Sequence, residues 1–467
     1  MAKPTVAFVS LGCAKNLVDS EKMLGLLAES GCAIVGDGGR AQVAVVNTCG
    51  FLDASRVEAL DILGGLAEQK RRGELDRIVV AGCLVQRDGQ RLVEEIPEID
   101  ALVGVNNRGD IVKAVGNAKR RTGKSSTRKS TNNGGRTIFL GEYHPASWVD
   151  ANRSDRTRLR LTPQHYAYLR ISEGCNQKCT FCTIPSIRGP MHSKTVEEIM
   201  AEARELIADA AVELVLIGQD TTSFGQDSGY DAGLPGLLRE LNGLDGAEWI
   251  RLMYVYPSVL TDEMIDAIAE CDRIVNYIDI PLQHIDDRVL KAMYRRVTRK
   301  QTESLLQRIR DRIPDVTIRT TFIAGFPGET EEQFESLRQF VRDFGFDAMG
   351  VFPYSSEPGT PAHRINQPVP SSVIEERVGA LMAAQQEVAF SRAAARVGQS
   401  FRVLIDDFGR EGICPARHAG QAPEVDSIVY VDGAEKDPGD FAEVRCVASK
   451  DYDLIARPLG SSLPVIG

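Results

Sequence analysis

The 467-residue chain, 43% hydrophobic and 26% charged, has the composition of a soluble globular protein long enough for about three domains. It contains no apolar run of about 18 residues, which excludes a transmembrane helix, and the apolar stretch Val6–Val9 is too short for a signal peptide. The formal net charge of -10 disfavours nonspecific nucleic-acid binding as the main role and would attract a basic partner.

The N-terminal third alternates short apolar runs with amphipathic stretches. Strands are expected at Val6–Leu11, Val43–Asn47 and Ile78–Ala81, and helices at Asn16–Glu29, Ala54–Arg72 and Arg87–Glu95. Strands alternating with helices predict a parallel α/β open sheet covered on both faces. The chain carries ten cysteines. In a chain expected to be cytoplasmic, that number argues for metal or redox chemistry over a disulfide framework. Cys13, Cys49 and Cys83 each stand just past the carboxyl end of a predicted strand, beside Gly12, Gly50 and Gly82. Ligands of open α/β sheets bind at that edge, so three thiolates far apart in sequence would meet there as a metal site. Cysteine is also a common buried residue, and a single such placement would mean nothing. Cys32, Cys271, Cys414 and Cys446 follow no such pattern and read as structural.

The segment Ser10-Leu11-Gly12-Cys13-Ala14-Lys15-Asn16-Leu17-Val18-Asp19-Ser20-Glu21 resembles the opening of the methylthiotransferase family, in its RimO branch. The sister branch of transfer-RNA enzymes, MiaB-like, usually has Gln-Met-Asn where this chain has Ala14-Lys15-Asn16. Asn47-Thr48-Cys49-Gly50-Phe51 and Ala81-Gly82-Cys83-Leu84 are similar to the family's other two cysteine segments. The resemblance implies that Cys13, Cys49 and Cys83 hold a [4Fe-4S] cluster.

Residues 118–136 carry seven basic residues, no acid, and otherwise mostly Ser, Thr, Asn and Gly. They read as a solvated linker, with a contact to a polyanion such as ribosomal RNA as the alternative. After the predicted strand His165–Ile171 comes Glu173-Gly174-Cys175-Asn176-Gln177-Lys178-Cys179-Thr180-Phe181-Cys182. Its C-x3-C-x2-C spacing lets one short loop wrap a metal centre. Three ligands leave a four-iron cluster with one open iron, the mark of a catalytic site. A zinc loop completed by His165 or His192, or a buried cysteine trio, are the alternatives. The spacing and Phe181 resemble the radical S-adenosylmethionine signature, which implies that the aromatic lies near the adenine.

Further strands are expected at Val212–Ile217, Trp249–Tyr254, Ile274–Ile280, Thr317–Ile323 and Ala348–Phe352. Helices are expected at Thr195–Ala208, Gly233–Leu241, Asp262–Ala269, Asp286–Arg312 and Glu331–Phe344. Six strands with intervening helices predict a partial (β/α)6 radical-SAM barrel whose chemistry gathers at the C-terminal strand ends. Gly218, Gln219, His284, Gly325 and Glu329 all fall at those ends. The resemblance implies that Gly218-Gln219 bind the methionyl amino group of S-adenosylmethionine and that Gly325 to Glu329 contact its adenosine. His284 is a candidate for proton transfer or a structural histidine.

A long helix over Ile374–Arg396 leads to short strands at Phe401–Ile405, Ser427–Val431, Ala442–Ala448 and Asp453–Ala456, predicting a small C-terminal β-barrel. Ala422-Pro423-Glu424-Val425-Asp426 resembles the TRAM domain of the RimO branch, although Ser427 stands where glycine is usual. Residues 397–467 hold twelve acids against seven bases, a formal balance of -5. An RNA-gripping barrel should be basic, so this one suits a basic protein partner, with a merely solvated acidic surface as the alternative.

The resulting division is an N-terminal methylthiotransferase domain at 4–117, a linker at 118–160, a radical SAM domain at 161–396 and a TRAM domain at 397–463. The resemblance implies two [4Fe-4S] clusters, S-adenosylmethionine and a flavodoxin or ferredoxin-like reductant. Its implied reaction is methylthiolation of an aspartate β-carbon in small-subunit ribosomal protein twelve. A transfer-RNA methylthiotransferase and a noncatalytic iron–sulfur or zinc RNA-binding module are the rivals.

Overall fold

The computed structural model describes residues 3–36, 40–116, 136–141 and 154–460. The basic run 118–136 therefore lies outside the described residues except for Arg136.

The first sheet begins β1 (Thr5–Ser10), α1 (Ala14–Glu29), β2 (Ala33–Val35), β3 (Val43–Thr48) and α2 (Asp53–Arg71). It continues β4 (Arg77–Gly82), α3 (Cys83–Glu95), β5 (Ala101–Gly104), α4 (Ile111–Gly116) and β6 (Thr137–Phe139). All pairings are parallel, in the order β2-β1-β3-β4-β5-β6. β3 is buried along its whole length, as a parallel strand with helices on both faces must be. The chain leaves β1 in one direction to form β2 and returns on the other side to form β3. The β1/β3 crevice is thus a topological switch point. Three strands, β2, β5 and β6, go beyond the sequence expectation. They hold three, four and three residues, too few for a period to register. β6 falls inside the segment expected to be linker. α3 starts at Cys83, four residues before the expected Arg87, and kinks at Asp88, which left only its second half readable.

The central unit opens with β7 (Tyr166–Arg170), β8 (Ser172–Glu173), α5 (Ile184–Arg188), β9 (His192–Ser193), α6 (Val196–Ala208) and β10 (Glu213–Ile217). Then come α7 (Gly233–Asn242), β11 (Trp249–Leu252), α8 (Asp262–Glu270), β12 (Ile274–Asp279), α9 (Asp287–Ala292) and α10 (Arg299–Arg312). β13 (Thr317–Ala324), α11 (Glu331–Phe344), β14 (Ala348–Pro353) and α12 (Ser371–Ala395) complete it. The six long strands run parallel in the order β14-β13-β12-β11-β10-β7, the predicted open (β/α)6 barrel. The single helix expected over Asp286–Arg312 is two. Tyr294 sits at φ 57, which breaks the helix, and Thr298 with Gln301 forms a capping box that starts the next one.

Leu214, Leu216, Ile250, Leu252, Ile278 and Phe322 face the surrounding helices. The opposite face of the sheet is covered by other domains: Tyr166, Tyr168, Val215, Ile217 and Tyr277 pack with Leu404 and Ala422 of the last domain and with Val18 of α1.

The last domain is a closed five-stranded barrel made of β15 (Ser400–Ile405), β16 (Ile413–His418), β17 (Val429–Asp432), β18 (Phe441–Lys450) and β19 (Asp453–Pro458). β16 was missed by sequence, where the turn-forming Gly409 and Gly412 and the charged Arg410 and Glu411 hide its start. Cys414 and Cys446 are core residues here, with Val403, Val429 and Val444. Ser427, at the position where glycine is usual, takes a hydrogen bond from the Gln421 amide at 3.1 Å. Among the described residues no helix is long and apolar enough to cross a membrane.

Candidate functional site

β1, β3 and β4 end in register, Ser10 opposite Asn47 and Thr48 opposite Gly82. Cys13, Cys49 and Cys83 therefore leave the sheet together at the switch point. The loops touch: a side chain at Gly12 (φ +94) would meet the Cys49 Cβ at 2.8 Å, and one at Gly50 the Leu84 backbone at 2.7 Å. The Asn47 side chain donates to the Asn16 carbonyl at 2.8 Å and fixes the first turn of α1. Cys49 and Cys83 are buried, and Cys13 keeps an exposed surface. Burial pushes the Cys83 thiol up to about 12, against Arg188. At Cys13 the protein packed around the sulfur acts the same way, but Lys15 and Arg188 outweigh it and the thiol lies below its usual range.

The second trio lies beyond β8, at the C-terminal end of the barrel strands. Each sulfur has a donor aimed at it. The Gln177 N–H points at Cys175 Sγ and the Ile184 N–H at Cys182 Sγ, both at 3.4 Å. The Tyr256 hydroxyl lies 3.5 Å and the Arg295 guanidinium 3.7 Å from Cys179 Sγ. Burial raises Cys175 and Cys182 to about 12, so both keep their protons unless a metal centre replaces them. Donors turned toward three sulfurs fit thiolate ligands, whose cluster they would tune. Among the described residues no group of three His, Cys, Asp or Glu is placed to hold a single metal ion. His165, one proposed fourth zinc ligand, sits just before β7, at the far end of that strand from the loop. There it binds Asp406 of the last domain at 2.9 Å.

Around this loop the expected cofactor residues divide into two groups. Ser172 Oγ and Gln219 Oε1 are buried without a hydrogen-bond partner among the described residues. A Cβ on Gly218 would meet Ser172 Oγ at 2.6 Å. Two orphaned oxygens beside a glycine fit a cationic amino group such as the methionyl ammonium. Phe181 packs against Met293, Ile323 and Phe326 at the same end. Glu329, by contrast, is already engaged: it accepts from the Gly325 N–H at 3.1 Å and from Arg377 at 2.8 Å. A side chain on Gly325 (φ +80) would strike Ile374 at 2.3 Å, so that glycine serves the packing of α12. His284 is fully buried. Its Nδ1 accepts from the Asp286 N–H at 3.0 Å, and its Nε2, without a hydrogen-bond partner among the described residues, faces Glu329 at 3.6 Å.

The two trios are joined through a buried ion network. Arg188 donates to Cys83 Sγ at 3.1 Å, to Asp19 at 2.9 Å and to Glu173 at 2.8 Å. Glu173 in turn receives the Gln219 amide at 2.9 Å. Arg170 binds Asp19, Glu173 and Asp155, Arg108 binds Asp19, and Lys194 binds Asp155 and Glu202. Four cations thus meet four carboxylates. Arg170 and Arg188 hold the Glu173 carboxyl well below its usual range against the effect of burial.

Residues 169–341 match the radical SAM superfamily, residues 397–459 the TRAM domain, and residues 5–104 a family described as uncharacterized protein family UPF0004. "Ribosomal protein uS12 methylthiotransferase RimO" of Trichlorobacter lovleyi is 40% identical over 459 residues, 98% of each chain. Its namesake in Anaeromyxobacter sp. (strain K) is 41% identical over 96% of this chain and 92% of its own. The chain belongs to the RimO methylthiotransferase family. The radical SAM match implies S-adenosylmethionine and [4Fe-4S] chemistry. Among solved structures, the radical S-adenosylmethionine methyltransferase TsrM of Kitasatospora setae shares the fold. Its TM-score is 0.56 at 16% identity, over 77% of both chains.

In this RimO-family chain the residues that sequence reasoning missed are those linking the domains. Asp19 lay inside the quoted opening motif without a role. Arg188 ends α5 six residues past Cys182, with only its closeness to the loop as a signal. Lys15 is 7% exposed and its Nζ lies 3.2 Å from the centre of the Tyr254 ring. Burial works against its charge, but the Tyr254 and Cys13 side chains carry the ammonium above its usual range. The ends of the two domains also meet at the rim, where Arg87 of α3 binds the buried Glu357 at 2.7 Å.

Proposed function

We propose that this chain methylthiolates the β-carbon of an aspartate in ribosomal protein uS12, using two [4Fe-4S] clusters held by Cys13, Cys49, Cys83 and by Cys175, Cys179, Cys182. The observation that carries the reading is Arg188, whose one guanidinium contacts Cys83 of the first trio and Glu173, two residues before the second. Charged with both clusters and S-adenosylmethionine, such a site supplies a 5′-deoxyadenosyl radical to take a hydrogen and a methylated sulfur to replace it.

The chain's own residues set the geometry. Ser172 and Gln219 would take the methionyl ammonium, and Phe181 would border the adenine. Gly325 and Glu329 act from behind, shaping the loop that closes this end of the barrel. The first turn of α1 lies on the barrel's covered face, where Leu17 and Val18 pack with Tyr254 and Met253. Residues 4–117 would carry the sulfur-presenting trio, 161–396 the radical-generating trio and 397–463 the partner-facing barrel. Of the acids on that barrel, Asp406, Glu424, Asp426 and Asp432 are engaged within the chain. Asp407, Glu411 and Glu435 are exposed and would meet a basic ribosomal protein. A flavodoxin or ferredoxin-like protein would supply the electrons.

The test is anaerobic reconstitution followed by incubation with S-adenosylmethionine, reductant and either uS12 or transfer RNA. Expected are about eight irons per chain and a methylthio group on uS12 by mass spectrometry. Modification of transfer RNA alone would overturn the substrate. Iron near half that value, unchanged by Cys49→Ala, would remove the second cluster.

A further inference from the structure

Lys15 is a buried cation of the site with no carboxylate partner among the described residues. Arg108, Arg170, Arg188 and Lys194, the cations of the network between the two domains, each bind at least one carboxylate. Among the described residues Lys15 binds none; its ammonium rests on the face of the Tyr254 ring, 3.2 Å from the centroid. Burying an ammonium without an anion is costly, and a ring face compensates only in part. Two neighbours of Lys15 are less buried than it is. Cys13, two residues before it, is solvent-exposed, and Tyr254 is only half-buried.

Tyr254 adds a second observation. It follows β11 at the ligand-binding end of the barrel strands, and its backbone stands at φ 61, a costly conformation for an aromatic residue. The surrounding fold holds it there: the Asp279 carboxylate receives its N–H at 3.1 Å, and its carbonyl accepts from the Thr221 N–H at 3.2 Å. An over-determined strained residue that holds its ring against a lysine lacking a carboxylate partner leaves that lysine's charge for an incoming anion.

We infer that Lys15, backed by Tyr254, receives the side-chain carboxylate of the target aspartate. The inference rests on the proposed methylthiolation of an aspartate and names the residue that selects it. The reacting carbon is bonded directly to that carboxylate. One charge-assisted hydrogen bond from Lys15 Nζ therefore fixes the β-carbon beside the Cys13 loop. It also discriminates: an asparagine or an uncharged base leaves the ammonium unpaired, and the site rejects it for that reason.

The experiment measures binding of isolated uS12, with its target aspartate or with asparagine there, to the reconstituted chain. Lys15→Met, Lys15→Gln and Lys15→Arg are compared with the parent. The parent should favour the aspartate form by about 10- to 100-fold. Met and Gln should abolish that preference, and Arg should restore most of it. Iron content and melting temperature report whether each variant holds its clusters, and the comparison is made on those that do. A neutral variant that still prefers aspartate overturns the inference while leaving the proposed function intact. If every neutral variant loses iron and Arg regains it, Lys15 supports Cys13 instead and the inference fails. A parent that does not bind uS12 overturns both.

Discussion

At the scale of single residues, Arg188 and Gln219 make separable predictions. Arg188→Met removes the donor to Cys83 Sγ and one of the cations facing Asp19 and Glu173. Those carboxylates are buried, so the surplus negative charge should cost about 3 kcal/mol or more, read as a lower denaturation midpoint. Iron should fall toward half, because the first trio loses its donor while the loop at Cys175–Cys182 keeps its own. Gln219→Leu should leave iron unchanged and weaken S-adenosylmethionine binding about tenfold or more, measured by calorimetry, since it removes the unpartnered Oε1. The cysteines were legible in sequence because cysteine is rare and each of the three stood at an equivalent strand end. The network was not legible. Asp19 and Arg188 are separated by 169 positions, and no local period marks a pairing made only when two domains close.

At the scale of elements, periodicity carried most of the fold. Glu331–Phe344 was placed to the residue, and in the fold Thr330 with Gln333 caps an apolar stripe at Phe334, Leu337 and Val341. It failed where the backbone departs from its local preference. Val289, Leu290 and Met293 have helical spacing and so do Leu305, Leu306 and Ile309, but Tyr294 turns left-handed between the two groups. The Thr298–Gln301 capping box was the signal that would have found the break. Gly325, expected from the family resemblance to contact the adenosine, also answers to packing, because a side chain there would strike Ile374 in the first turn of α12. Gly325→Ala should therefore destabilise the chain by about 1–3 kcal/mol through both the clash and the positive φ. Adding Ile374→Ala should recover only the steric part, a partial rescue visible in thermal melts.

At the scale of the whole molecule, the domains are held by polar seams at both ends of the barrel. The last domain docks through Tyr166 and Tyr168, whose hydroxyls donate to Glu424 at 2.9 and 3.0 Å, and through Tyr277, which donates to Asp426 at 2.8 Å. Sequence charge counting saw these acids as surface; the fold spends them on assembly. Asp406 belongs to the same seam. Burial would raise its carboxyl, but His165 and Arg417 hold it below the usual range.

His418 makes the seam sensitive to pH. It is buried, and burial together with the cations Arg396, Arg251 and Arg417 pushes its pKa well below the usual value. Its Nδ1 accepts the Gly420 N–H at 2.9 Å, so a proton placed there would oppose a donor. A histidine depressed in the folded state is neutral there while the unfolded chain takes up a proton. Its stability contribution is therefore complete above the unfolded value near 6.5 and is lost as pH falls below it. The loss should reach at most about 1.4 kcal/mol per pH unit. Asp406 adds a second loss of the same sign, beginning only below about pH 4. Thermal melts between pH 7.5 and 5 should show the first decline, on the order of 1–2 kcal/mol. His418→Gln should flatten that window and leave the lower one in place. A decline equally steep in the variant would assign the acid sensitivity to another group.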